Sequence, residues 1–149
     1  MPQFIDIVSP NIGVQANNGA GGTVMNQFIT TQASDYTGIS ANHALVCTAH
    51  ATDGSWIEGL RFKASGVSGD NVAAAARIYI NNGSAQTTAT NNTFWGEVSL
   101  PITTPNAAKA GPEVYVPMKF FLQPGFRIYF GLERTVASGW NCNAVLADF

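Results

Sequence analysis

Glu113-Val-Tyr-Val-Pro-Met-Lys-Phe-Phe-Leu122 runs into Gln123-Pro124-Gly125, and the chain resumes as Phe126-Arg-Ile-Tyr-Phe-Gly-Leu132. In the first segment Val114, Val116, Met118 and Phe120 alternate with Tyr115, Pro117, Lys119 and Phe121, the two-residue period of a strand with one buried face. Pro124 presets φ for the first central position of a turn and Gly125 supplies the positive φ that a type II turn needs at the second, so the next strand is expected to run antiparallel. Phe126, Ile128, Phe130 and Leu132 continue the apolar face while Arg127, Tyr129 and Glu133 point away. After Ala137-Ser138-Gly139 a third strand sets Trp140, Cys142, Ala144 and Leu146 on one side and ends at Phe149. Three strands in a row predict an antiparallel β domain.

Working back from there, Phe94 to Ile102 reads as a strand with Phe94, Val98, Leu100 and Ile102 inward and Trp95, Glu97 and Ser99 outward. Pro101 places its end at a sheet edge. Val72 to Asn81 has Ala74, Ala76, Ile78 and Ile80 on one face and Arg77 and Tyr79 on the other. Its run of alanines passes directly into Arg-Ile-Tyr-Ile and stops at Asn81-Asn82-Gly83-Ser84, which favours strand over helix. Trp56 to Ala64 puts Trp56, Leu60, Phe62 and Ala64 inward, and Glu58 falls on the same parity. That carboxylate sits at a sheet rim, pairs with an arginine or marks a bulge. Ala41 to Ala49 and Thr23 to Thr31 complete the strand candidates, with a turn over Ala51 to Ser55. The uncharged Ser84–Thr93 and the proline-bearing Thr103–Pro112 segments are expected as exposed loops of contact-making length. About eight strands with long connections fit a two-sheet β-sandwich of jelly-roll type. Residues 1–22, with Phe4 to Val8 and then Asn17-Asn18-Gly19-Ala20-Gly21-Gly22, are expected as an N-terminal arm or first strand with a glycine-rich hinge. Residues 23–149 form the single sandwich domain.

The chain has 149 residues, a net charge of −2, 46% apolar residues and only 11% charged ones, less than half the roughly 25% usual in globular domains. Asn, Ser, Thr and Gln must build the polar surface. Charge depletion is a mark of interface cores, so an oligomer is expected. The charge balance provides no basic field for nucleic acid and no polybasic patch for anionic lipid. No apolar run approaches the ~20 residues of a membrane span, and Met1-Pro-Gln-Phe-Ile-Asp6 lacks the pattern of a signal peptide. Cys47 and Cys142, the only cysteines, are expected as buried thiols.

Chemistry is sparse. His43, Cys47 and His50 lack the spacing of a zinc site and do not share one strand parity. The carboxylates stand singly, without the facing pair of a glycosidase, and there is no nucleophile elbow, phosphate-binding glycine motif or calcium loop. No catalytic residue, metal or cofactor is therefore expected. Trp95, outward by parity and just beyond a polar loop, is the candidate exposed aromatic contact, for a sugar ring or for a subunit seam.

From Trp56 onward the chain resembles virion structural proteins of tailed bacteriophages. The resemblance rests on Trp56-Ile-Glu-Gly-Leu-Arg-Phe-Lys-Ala-Ser-Gly66, Ala76-Arg-Ile-Tyr-Ile-Asn-Asn-Gly-Ser84, Glu97-Val-Ser-Leu-Pro101, Val116-Pro-Met-Lys-Phe-Phe-Leu-Gln-Pro-Gly125, Tyr129-Phe-Gly-Leu132 and Val136-Ala-Ser-Gly-Trp140 leading to Asp148-Phe149. It implies a particle protein without catalysis, made in the host cytoplasm and placed on the outer capsid surface as a decoration or cement protein. Its partners are then the major capsid protein and itself, as a homotrimer. A tail, head-fibre or receptor- and carbohydrate-binding module is the alternative. Under the first assignment Phe4, Ile5, Ile7, Val8, Asn17 and Asn18 are the candidate capsid or subunit contacts.

Overall fold

A computed structural model describes residues 11–12, 28–33, 35–64, 69–104, 106 and 108–148. Its strands are β1 (Asn11–Ile12), β2 (Phe28–Ile29), β3 (Ala44–Thr48), β4 (Ser55–Ala64), β5 (Ala74–Asn81), β6 (Asn92–Leu100), β7 (Glu113–Leu122), β8 (Arg127–Leu132) and β9 (Trp140–Asp148). One sheet runs β1-β9-β4-β7 with β2 also pairing β9, and the other runs β3-β8-β5-β6. All of these ladders are antiparallel. The pairs nest: β5 with β6, β4 with β7, β3 with β8 and β2 with β9. Such nesting is one long hairpin rolled into two facing sheets, the jelly roll.

The alternation read in the sequence is the core. Ile57, Leu60, Phe62, Trp140 and Cys142 from one sheet meet Cys47, Ile78, Ile128, Phe130 and Leu132 from the other, all fully buried. Phe62 and Phe130 pack edge to face across the interface, centroids 5.6 Å apart. Cys47 and Cys142 are both buried, and burial together with the neighbouring Cys47 sulfur pushes the Cys142 thiol well above its ordinary pKa. Cys142 is thereby held in its unreactive form.

The reversal at Gln123-Pro124-Gly125 forms as expected: Gly125 has φ +72° and the Phe126 amide donates to the Gln123 carbonyl at 3.0 Å. It does not make a hairpin. β7 pairs with β4 and β8 with β3 and β5, so the turn carries the chain from one sheet to the other. None of the last three strands hydrogen-bonds to another of them, although their alternating faces were correctly legible.

Residues 30–33 and 35–43 form a strap across the outer face of the β3-β8-β5-β6 sheet. The Ala33 amide donates to the Leu132 carbonyl at 2.7 Å, and Tyr79 Oη donates to the Asp35 carbonyl at 2.6 Å. The strap explains why Tyr79, outward by parity, is fully buried. Burial pushes its phenol pKa up to about 12. The Asp35 carboxylate accepts from the Thr37 hydroxyl (2.8 Å) and from the Thr37, Gly38 and Ile39 amides (3.0, 2.6 and 3.2 Å). Burial opposes its charge, but these bonds and the attraction of His43 outweigh it and hold the carboxyl below its ordinary value. The 82–91 connection, which ends in a 3-10 turn over Ala89–Asn91, is held by amides rather than ions. Asn81 Nδ2 donates to Asn92 Oδ1 at 2.8 Å, and Asn92 Nδ2 donates to the Gln86 carbonyl at 2.7 Å. Thr93 belongs to β6, so that loop is shorter at its end than the sequence suggested.

Candidate interaction surface

β6 and β7 are the outer strands of their respective sheets. They span nine and ten residues, whereas the opposite edges are formed by β3, five residues, and by the two-residue β1 and β2. Short edges are one way proteins protect a sheet margin; long ones need another. β7 carries Pro117, tolerable on an edge because no inward ladder bond is lost there. It also bulges against β4, with Lys119 at φ +53°.

Two bulges decide which side chains this flank presents. On β4 the register shifts between Ile57 and Gly59, so Glu58 is the extra residue against β9, and of the three readings open for it the bulge is the one that occurs. Parity inverts there. Ile57 is buried and Trp56, expected inward, is 36% exposed, its indole N–H donating to Glu58 Oε2 at 3.1 Å. On β6 the register shifts where Ile78 pairs with Gly96 and Tyr79 with Phe94, leaving Trp95 as the extra residue. Phe94, expected in the core, therefore lies beside Tyr79 on the outer face, its ring 5.3 Å from Tyr36 and 5.8 Å from Tyr79. Trp95 is 39% exposed as expected, but a strictly outward direction is corrected: its ring stacks on Phe120 of β7, 6.4 Å away, bridging the two sheets. A bulge has no sequence mark beyond a mismatched parity, and only Glu58 provided one.

The result is a continuous aromatic flank. Tyr36, Phe94, Trp95, Phe121, Trp56 and Tyr115 are all the exposed aromatics among the residues whose side chains are described, and all lie on or beside β6 and β7. Phe121 pairs across the ladder with Trp56. Tyr115 lies over Gly59, where a Cβ would collide with the Tyr115 ring and stand 2.7 Å from the Val116 carbonyl oxygen; the glycine makes room for the ring. The charges nearby answer one another: Arg77 Nε to Glu97 Oε1 at 2.8 Å, Arg61 Nη2 to Glu113 Oε2 at 2.6 Å and Lys119 Nζ to Glu58 Oε1 at 4.0 Å. Arg77 also lies under the Tyr36 ring, 3.9 Å from its centroid, and donates to the Tyr36 hydroxyl at 3.0 Å.

Groups that could do chemistry do not converge in the same way. His43 is tied to the strap, its Nε2 3.8 Å from Asp35 Oδ2, while His50 stands at the other end of β3 beside Asp53, 3.4 Å away. Among the described residues no three of His, Cys, Asp and Glu gather as metal ligands. An open depression between Tyr36, Ala75, Arg77, Glu97 and Arg134 has its arginines engaged, Arg77 as above and Arg134 with Glu133. Phe4, Ile5, Ile7, Val8, Asn17 and Asn18 lie outside the described residues. Among the described residues no helix is long and apolar enough to cross a membrane.

Fold and surface together define an all-β jelly-roll protein with an aromatic, charge-balanced flank. No protein-family model, curated protein or solved structure matches the chain.

Proposed function

We propose that this chain is a non-enzymatic virion protein of a tailed bacteriophage that binds the outside of the assembled capsid as a decoration or cement protein. It bridges copies of the major capsid protein as a homo-oligomer. The observation that carries this reading is the flank: exposed aromatics continuous over two sheet edges, with neighbouring charges paired inside the chain, form a surface suited to being covered. Phe4 to Val8, Asn17 and Asn18 would hold the shell or a neighbouring copy. Several weak contacts joined in one oligomer dissociate rarely because each keeps the others at high effective concentration, and binding only the assembled shell stabilises it by mass action.

The test is to add the purified protein to expanded capsids and to free coat protein. Co-sedimentation with capsids alone, with a rise in capsid melting temperature, is the expected outcome; absence of both would sink the proposal. A tail, head-fibre or glycan-binding role is the second reading, favoured by the exposure of Trp95. It predicts instead saturable oligosaccharide binding that Trp95→Ala abolishes.

A further inference from the structure

We infer that the β6–β7 flank is where copies of this chain meet, the Tyr36–Phe94 side of one copy packing against the Trp56–Phe121 side of the next. This deepens the proposal above and rests on its reading of the flank as a surface to be covered.

The ring geometry selects a protein over a sugar. A glycan platform needs rings lying flat along one line, so that successive sugar faces stack. Here Tyr36 and Phe94 meet at 80° and Trp95 and Phe120 at 29°, and the rings pass from the outer face of one sheet, between the two edges, to the outer face of the other. An aromatic surface whose rings face several directions is complementary to another folded surface. Continuous strand addition is disfavoured, because both edges are bulged and β7 carries Pro117. Side-chain packing is the mode that remains.

Charge selects a like copy. A foreign partner is commonly chosen by an opposite field, but Glu97, Glu113 and Glu58 are already matched by Arg77, Arg61 and Lys119. Two such surfaces meet without like-charge repulsion and without stranding an unpaired ion. The two halves of the flank are unlike in residue content, so one half of a copy meets the other half of the next; repeated head to tail, that contact closes into a ring when the rotation allows.

The experiment uses the full chain and measures mass in solution by light scattering over a dilution series. Wild type is expected to be an oligomer. Phe94→Asp and Phe121→Asp, at side chains 38% and 41% exposed, are expected to be folded monomers, association weakened at least about 30-fold as for an aromatic anchor. Mixed together, these two variants retain one good contact and form a heterodimer. Ile102→Asp, at a 70% exposed position in the connection between β6 and β7 and outside the aromatic set, leaves the oligomer intact. Circular dichroism verifies that each variant is folded. A monomeric wild type, an oligomer that survives both flank variants, or no heterodimer on mixing overturns the inference. A monomeric wild type that gains a fluorescence shift with oligosaccharide assigns the flank to sugar and overturns it likewise. Capsid binding by a monomeric wild type would overturn this inference, and with it the homo-oligomer of the proposed function, while sparing the capsid-binding role; an oligomer that ignores capsids would overturn that role and leave this inference standing.

Discussion

Acidification should loosen the strap through a single buried imidazole. His43 has a fully buried side chain packed on Tyr79, ring centroids 4.7 Å apart. Gln86 Nε2 lies 3.3 Å from His43 Nδ1; with Nδ1 accepting, the proton resides on Nε2, which faces Asp35 Oδ2 at 3.8 Å, too far for a hydrogen bond. Burial lowers the His43 pKa below 6.5; Asp35 opposes that effect and Arg77 adds to it. Because the folded pKa lies below the unfolded one, the unfolded chain binds the proton first. Stability therefore falls as pH drops from about 6.5 to the lowered folded value, and is flat beyond it for this group. One differential proton sets the limit of the slope at about 1.4 kcal/mol per pH unit. For a domain of this size that is up to about 5 °C of melting temperature per pH unit. Asp35 acts separately: its lowered pKa contributes stability that is lost only as pH falls through a value below 3.8. The assay is thermal unfolding of wild type and His43→Phe from neutral pH to about pH 5, above the ordinary values of Asp and Glu. Wild type should lose more melting temperature than the variant within that window. Parallel curves, or a wild type that gains on acidification, would falsify the account.

Two further perturbations probe what positions the flank. Asn71 is fully buried; its Nδ2 donates to the Gly139 carbonyl (3.2 Å) and its Oδ1 accepts from the Ser138 and Gly139 amides (2.7 and 3.0 Å). Asn71→Ala leaves three backbone groups without these bonds, and a loss of about 3 kcal/mol is expected by urea titration. Gly131→Ala would drive a Cβ into the His43 ring and to 3.0 Å from the Ala33 Cβ. A loss of about 1–3 kcal/mol is expected, and increased near-ultraviolet mobility of Tyr79 would show that the strap, rather than the core, has given way.

Side-chain alternation is legible in the sequence because a strand's period is local: Val114, Val116 and Phe120 inward, Tyr115 and Phe121 outward, and the same for β5, β8 and β9. The positive φ of Gly125 was equally local. The extra residues at Glu58 and Trp95 were not, because a bulge is defined against the partner strand, and those partners are distant in sequence. Hence Trp56 and Phe94 exchanged faces relative to expectation, and the flank they build could not be drawn from Trp95 alone.

What the chain of residues determined unaided is therefore the β class, the faces of its regular strands, the turn after β7 and the charge-poor surface, all consequences of neighbours along one backbone. The tertiary structure alone decided that β7 and β8 part into different sheets, that Tyr79 is covered by a strap, and that the scattered aromatics join on one flank. Each of those depends on pairings between residues far apart in sequence, selected by the burial of both sheet faces at once, and no local period carries that information.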